Sequence, residues 1–348
     1  MGQSRMTRLK HRLLLSVLLV ITATLSSCSS HAAVSTRNGF AMGSLVTVRI
    51  YGFDESSADR TANEIFAAVN ALDAQISAVS ESGTIKQIND AGIGKIGEPG
   101  FSLIVDSVLL CRTLGGKLDV SLGAVTELWG FSGETPAVPP KAALNESLAH
   151  TGLDNVSWDT DTGTVALSNG VRLDLGAIGK GAGCDEAKTV LERYQTPAVL
   201  SLGGTVLVYG KKPIENDPWT VGIRDPKQGA DSYFATLSLL PDGETDAFFI
   251  STSGTYEKTF VKDGIRYHHL LDPKTGYPAK TDLVSVTAVA KEGWLSDALS
   301  TALLLNGWNE TAEALVDRYL VGAVFRFENG ETVITPGLQD SFRFTEGT

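Results

Sequence analysis

Apolar residues recur at three- and four-residue steps through Ile65, Phe66, Val69, Leu72 and Ile76, which predicts a helix over about residues 58–78 with one buried face. A strand over 45–51 precedes it. A second helical pattern covers 101–114 and stops at Gly115-Gly116, a suitable helix C-terminus. Residues 130–143, rich in Gly, Pro and Ala, read as a long surface loop or a subdomain boundary. The period then changes to two over 155–158, 164–168 and 171–175, with Asn169-Gly170 as a two-residue turn, so a β-meander is expected. A helix over 183–194 follows, then strands at 198–202, 206–209, 219–223, 233–239, 248–251, 265–271 and 283–290. Helices at 295–305 and 310–319 and a hairpin turning at Asn329-Gly330 complete the pattern. Hairpins outnumber β-helix-β alternations, so the expected class is α+β, with largely antiparallel or mixed sheets and packed helices.

The N-terminus follows neither period. A basic stretch ending at Arg12 precedes an apolar and small-residue run over 13–25, too short to span a membrane comfortably, so residues 1–27 read as an export signal. The run ends in Leu25-Ser26-Ser27-Cys28, which resembles the bacterial lipoprotein box. Cys28 is therefore expected to be lipidated and to anchor the chain in the membrane of the bacterial cell envelope. Residues 28–38, small and polar, read as a tether, leaving 39–348 as the folded part.

Composition narrows the ligand chemistry. The chain of 348 residues is 43% apolar and carries a net charge of −11, enough apolar material for a sizeable core under an acidic surface. Such a surface repels nucleic acid, so none is expected as a partner, and a phosphate ligand needs a metal ion or a local cradle. Beyond Cys28 only Cys111 and Cys184 remain, both in apolar contexts that suit small buried residues better than a pair. No CxxC or Cys/His cluster exists, which argues against zinc and iron–sulfur sites.

Several segments could carry chemistry. Gly176-Ala177-Ile178-Gly179-Lys180-Gly181-Ala182-Gly183 follows a strand pattern and precedes a helix, the setting of an anion cradle. It matches neither the Walker loop, since Gly181 follows Lys180, nor the dinucleotide fingerprint, since Cys184 stands where Gly is needed; a merely tight turn explains it equally well. Lys274-Thr275-Gly276 invites a β-lactamase-like reading, but no Ser has Lys three residues downstream, and no Gly-x-Ser-x-Gly elbow occurs. Asp297 and Thr301, four residues apart, share a helix face as an oxygen-only, incomplete shell of the kind Mg²⁺ completes with water and phosphate; capping is the commoner use of such residues. His268 and His269 are adjacent where a strand enters an Asp-Pro-Lys-Thr-Gly turn, so in a strand one ring faces a site and the other stays solvated.

In this order the segments resemble the ApbE family of FAD:protein FMN transferases. They are Met42-Gly43-Ser44, Ile88-Asn89, Leu118-Asp119-Val120-Ser121 through Leu128-Trp129-Gly130-Phe131, Asp174-Leu175-Gly176-Ala177-Ile178-Gly179-Lys180-Gly181, Leu202-Gly203-Gly204, Ser253-Gly254, His269-Leu270-Leu271-Asp272-Pro273-Lys274-Thr275-Gly276 and Asp297-Ala298-Leu299-Ser300-Thr301. The resemblance implies an ApbE-like two-subdomain architecture. It implies Mg²⁺ held by the side chains of Asp297 and Thr301 and the carbonyl of Ala177, and FAD contacts at Met42, Lys117, Leu118, Asp119, Asp174, Lys180 and Leu270. It implies a catalytic His269 and a reaction in which FMN passes from FAD to a Ser or Thr hydroxyl of a target flavoprotein, releasing AMP. Asn89 is implied close to the metal. The chain departs at Val79, where many members carry a stacking aromatic, and at Ser201 and Thr205, where Asn or Asp is frequent. The rival readings are a Mg²⁺-dependent FAD pyrophosphatase and a non-catalytic FAD-binding lipoprotein.

Overall fold

The computed structural model describes residues 34–345 apart from 53, 134, 214–216, 227, 229–231 and 242–245, so the export signal and Cys28 lie outside the described residues. Eight strands of the main sheet lie side by side in chain order: β1 (Val34–Ala41), β2 (Ser44–Tyr51), β3 (Ala198–Leu202), β4 (Thr205–Tyr209), β5 (Ala247–Gly254), β6 (Leu283–Ala290), β7 (Gly322–Phe327) and β8 (Thr332–Ile334). Every neighbouring pair is antiparallel. The architecture is thus one long meander interrupted by excursions, and the excursions carry the chemistry.

Between β2 and β3 the chain forms α1 (Glu55–Ile76), α2 (Thr84–Ala91), α3 (Gly100–Thr113), α4 (Gly123–Trp129), α5 (Lys141–Ala149) and α6 (Gly179–Tyr194), with a small sheet of Ile93–Lys95, Thr164–Leu167 and Val156–Asp159. Between β4 and β5 lie strands Trp219–Arg224 and Tyr233–Leu239, joined in a three-stranded sheet by Phe342–Phe344. The β5–β6 excursion holds the hairpin Thr259–Lys262 and Ile265–His268, and the β6–β7 excursion holds α7 (Gly293–Asn306) and α8 (Glu310–Tyr319).

Strand alternation divides the main sheet into two apolar faces. Val46, Val48, Ile50, Leu200, Leu202, Leu207 and Phe249 pack with Ile65 and Val69 of α1 and with Ala187, Val190 and Leu191 of α6. Val208, Ile250, Val289 and Val324 face the other way and pack beneath the three-stranded sheet. Helix α1 starts where Asp54 accepts a bond from the Ser57 amide, and its buried stripe includes the predicted Ile65, Val69, Leu72 and Ile76, while Phe66 is only partly buried.

Four expectations need correction. Val34–Asn38 are not tether: they pair with Val48–Tyr51 and Thr47 of β2 as an edge strand. The expected third strand of the meander, residues 171–175, joins no ladder. Asn169 and Gly170 do adopt positive φ, but the small sheet recruits Ile93–Lys95 instead. The reason is local, since both ends of the Asn89 side-chain amide bond the Leu173 backbone, at 2.9 and 2.7 Å, where a strand partner would. The segment 130–143 is no boundary: Phe131 and Val138 within it share one apolar cluster with Trp129 and Leu144 on either side, and the chain from Val34 onward is one compact unit. Finally, α6 begins at Gly179, so the last five residues of the expected glycine loop are helical.

Candidate active site

The core of the site is the crossing of α6 with α7. Gly181 and Gly293 meet there so closely that a Cβ on Gly181 would stand 2.0 Å from the Gly293 carbonyl oxygen. This approach brings Asp297, one turn into α7, to the start of α6, where Asp297 Oδ2 accepts the Gly181 amide at 3.0 Å. Gly181 lies in the first turn of α6, whose amides have no acceptor within the helix, and the Ala177 carbonyl precedes the Ile178 cap. Asp297 satisfies that amide from outside the helix, and no backbone bond reaches the Ala177 carbonyl among the described residues. Thr301 lies one turn beyond Asp297, both only 5% exposed, and its hydroxyl is 2.8 Å from Ser253 Oγ at the end of β5. Ser253 is in turn 2.8 Å from Ser300 Oγ.

Asp297 and Thr301 thus lie one turn apart on α7, and the Gly181 amide ties Asp297 to the start of α6, a distant stretch of chain. The carboxylate, the hydroxyl and the Ala177 carbonyl are all hard oxygens, the donor type that suits Mg²⁺ with water or phosphate completing the shell. Among the described residues no cluster of three His, Cys, Asp or Glu exists that could hold a softer or fully caged metal. Burial raises the Asp297 pKa, opposed by Lys180 and the Gly181 amide. Lys180 Nζ stands 3.7 Å from Asp297 Oδ2, so a neighbouring cation already offsets part of the buried charge.

Other buried devices hold this crossing. Asp185 of α6 accepts the amides of Gly293 and Trp294 at 2.7 and 2.8 Å, capping α7 from outside its own sequence. Desolvation pushes the Asp185 carboxyl up to about 7, against those two bonds. Ser296 Oγ donates to backbone carbonyls of β5 and β6, of Phe249 and Ala288, fastening α7 to the sheet.

The residues expected to contact flavin have differing surroundings. Met42 takes positive φ in the β1–β2 turn, donates its amide to Asp73 at 3.0 Å and packs its thioether against Gly183. A Cβ on Gly203 in the β3–β4 turn would meet Lys180 Cδ and Ser44 Oγ, each at 3.0 Å. Asp174 is oriented by Thr126 Oγ1 at 2.7 Å and the Gly176 amide at 2.8 Å. Leu118 and Leu270 are buried in apolar clusters. Asp119 Oδ1 accepts the amide and hydroxyl of Ser121, and Lys117 Nζ donates to the Leu305 carbonyl at 3.4 Å. Leu305 is eight residues along α7 from Asp297, about 12 Å along the axis, so Lys117 stands apart from the metal trio.

His269 enters from the β5–β6 excursion. Its Nδ1 faces the Glu257 carbonyl at 3.2 Å; a carbonyl only accepts, so Nδ1 carries the proton and Nε2 keeps its lone pair. Desolvation, then the positive charge of Lys258, lowers its pKa to about 4. His268 is not solvated: its Nε2 lies 3.2 Å from the Ala279 carbonyl and its buried Nδ1 has no hydrogen-bond partner. Behind His269, Trp129 stacks on Phe131 and tilts against Phe260 and Tyr267, while Trp129 Nε1 donates to the Gly276 carbonyl of the Asp-Pro-Lys-Thr-Gly turn. The turn that suggested a β-lactamase motif is thus a clamp on an aromatic cluster.

Sequence reasoning missed Lys258. Its φ is +41°, and desolvation, then the charge of Lys180, lowers its pKa while Asp174 and Glu257 raise it. Lys258 and Lys180 both act on His269, and Lys180 on Lys258, an electrostatic setting for a polyanion in an acidic chain. Nothing at Lys258 forms a motif, although positive φ at a non-glycine residue is itself a pointer to function. Both ends of the Asn89 side-chain amide bond the Leu173 backbone, one residue before Asp174. Val79 is 65% exposed and stacks on no ring among the described residues.

A buried carboxylate and hydroxyl, Lys180 and Lys258, and a neutral histidine are the kinds of group that phosphoryl-transfer chemistry uses. The model of the ApbE family matches residues 42–325, and the chain belongs to that family. A protein of Treponema pallidum named FAD:protein FMN transferase is 30% identical over 94% of this chain and 95% of its own length. The ApbE protein of Thermotoga maritima superimposes with a TM-score of 0.79 at 30% identity, over 87% of this chain and 97% of that one. The flavinyl transferase ApbE of Pseudomonas stutzeri, apo form, gives 0.75 at 25% identity over 89% and 97%.

Proposed function

We propose that this protein transfers FMN from FAD to a Ser or Thr hydroxyl of a target flavoprotein, releasing AMP, with Mg²⁺ held by the Ala177 carbonyl, Asp297 and Thr301. The observation that carries the metal assignment is the bond from the Gly181 amide to Asp297, which ties the carboxylate, one turn from Thr301, to the first turn of α6, just after an Ala177 carbonyl that no backbone amide occupies. Bound there, Mg²⁺ would offset charge on the pyrophosphate and make its phosphorus more electrophilic. Lys180 and Lys258 bind the remaining phosphate charge. Nε2 of neutral His269 takes the proton of the acceptor hydroxyl as its oxygen bonds the FMN-side phosphorus and the bond to the AMP phosphate breaks. Asp174, held by Thr126 and Gly176, fixes the edge of the nucleotide pocket.

The test is incubation of the protein with FAD, Mg²⁺ and an envelope flavoprotein, read by intact mass. An FMN adduct on the acceptor with stoichiometric AMP is expected; free FMN with AMP and no adduct would instead establish a pyrophosphatase, and unchanged bound FAD a storage protein. We also propose that Cys28 carries lipid and holds the enzyme at the envelope membrane. Among the described residues no helix is long and apolar enough to cross one. The mature N-terminal peptide is expected to begin at Cys28 with acyl mass, and Cys28→Ser to release the protein from membranes.

A further inference from the structure

A second concavity lies on the face of the main sheet opposite the helices. The three-stranded sheet covers that face over Ile250, Val289 and Val324; toward β2 and β3 the cover gives out, leaving a groove of about 490 Å³. One wall is Trp219–Arg224, an edge strand of the three-stranded sheet. Edge strands expose backbone donors and acceptors that an extended peptide can pair with. The Tyr233 ring lies over Gly222, where a Cβ would stand 2.4 Å from it, and Tyr233 is 51% exposed, an aromatic platform at the groove.

The groove is locally basic in a chain of net charge −11. Arg49 and Arg224 line it against one acid, Glu257, 3.9 Å from Arg224. Arg49 has no ion-pair partner among the described residues, and Arg224 Nε is buried without a hydrogen-bond partner. The groove also ends at the active site. Gly203 and Gly204 line it on one side of the β3–β4 turn, and Lys180 lies against Gly203 on the other. Glu257, whose carbonyl holds His269, lines it too.

We propose that this groove receives the acceptor protein. The occupant is an extended segment with acidic side chains flanking a Ser or Thr, laid along the Trp219–Arg224 edge, its carboxylates on Arg49 and Arg224 and its hydroxyl delivered at the Gly203-Gly204 turn. The proposal rests on the transferase reading. Arginine forks suit carboxylates, and charge matching of this kind sets partner choice.

Two short rhodamine-labelled peptides of Gly and Ala test it, each with one Thr, flanked by Asp in one and by Lys in the other. Both are titrated by anisotropy against the full chain with FAD and Mg²⁺. The Asp peptide is expected to bind at least roughly tenfold more tightly. Arg49→Glu is expected to abolish or reverse that preference while FAD affinity, read by flavin fluorescence, is unchanged; Arg224→Glu should act the same way. Arg49→Ala, which introduces no new charge, should reduce the preference if the reversal variants fold poorly. Equal binding of the two peptides, binding of neither, or a preference that survives all three substitutions overturns the groove. The transferase reading fails separately, if FAD is split to FMN and AMP with no adduct on any flavoprotein.

Discussion

The two walls of the active site are built by opposite means. The α6–α7 wall positions Asp297 and Thr301 on buried helices locked by a glycine-to-glycine crossing, by the Asp185 cap and by Ser296. The His269 wall hangs on an excursion between β5 and β6, and its histidine is oriented by a main-chain carbonyl. The first wall is a scaffold in which one displaced atom moves all the oxygen donors together. The second tunes a proton affinity through nearby charge, so it tolerates side-chain change and responds in pH. Rigid elements hold charge-stabilising groups more exactingly than loops do, and here the larger share of catalysis rests on them.

The comparison breaks most visibly at the crossing. Asp297→Ala is expected to lower transfer by more than about 10⁴-fold, whereas His269→Ala should cost about 10²- to 10⁴-fold, the usual share of a general base. Equal losses in single-turnover assays would erase the distinction between the walls. Gly181→Ala should approach the Asp297 loss, because its methyl would meet the Gly293 carbonyl and Asp297 Cβ; a crystal structure would show Asp297 displaced.

A smaller effect tests the cap. Asp185→Ala is expected to cost about 1–2 kcal/mol at pH 5, measured by urea unfolding. The sign with pH is also fixed. The folded carboxyl titrates near 7 against an ordinary 3.8, so the folded state holds the extra proton between those values. The stability this group contributes is full below about pH 4 and lost as pH rises through 7. The variant should lack that fall. Asn89→Leu, which leaves the buried Leu173 amide and carbonyl unpaired, should cost about 1–3 kcal/mol and raise the KM for FAD through Asp174.

The smallest effect lies on the His269 wall. Lys258→Met removes the nearest positive charge acting on His269 and should raise the histidine pKa from about 4, followed by NMR of the ring protons in the metal-free protein. His269 is then neutral over less of the acidic range, so the acid limb of kcat/KM moves to higher pH. An unchanged titration would show that burial alone sets it.

The legibility of each wall follows the same physics. Helical periodicity announced α1, α3, α7 and α8, and strand alternation announced most of the main sheet, because burial on one face leaves a regular pattern. Asp297 with Thr301 was visible as an i, i+4 pair, and the family resemblance supplied Ala177, whose role depends on a carbonyl that no side-chain pattern records. Helices α2, α4 and α5 were missed because they are short and bury few residues. The strand expected at 171–175 failed because a side-chain amide, Asn89, replaces the neighbour that alternation presumes. Asp185 was invisible as a cap because the helix it caps lies more than a hundred residues away. Lys258 had no motif at all, since its role depends on where a left-handed residue aims one charge.

The central claim is that a divalent cation is held by oxygens from both ends of the α6–α7 crossing. Crystals grown with FAD and Mn²⁺ in place of Mg²⁺ test it by anomalous scattering. A single peak is expected within coordination distance, about 2.0–2.3 Å, of Asp297, the Thr301 hydroxyl and the Ala177 carbonyl, absent from Asp297→Ala crystals. A peak elsewhere, or one that persists in the variant, contradicts the claim.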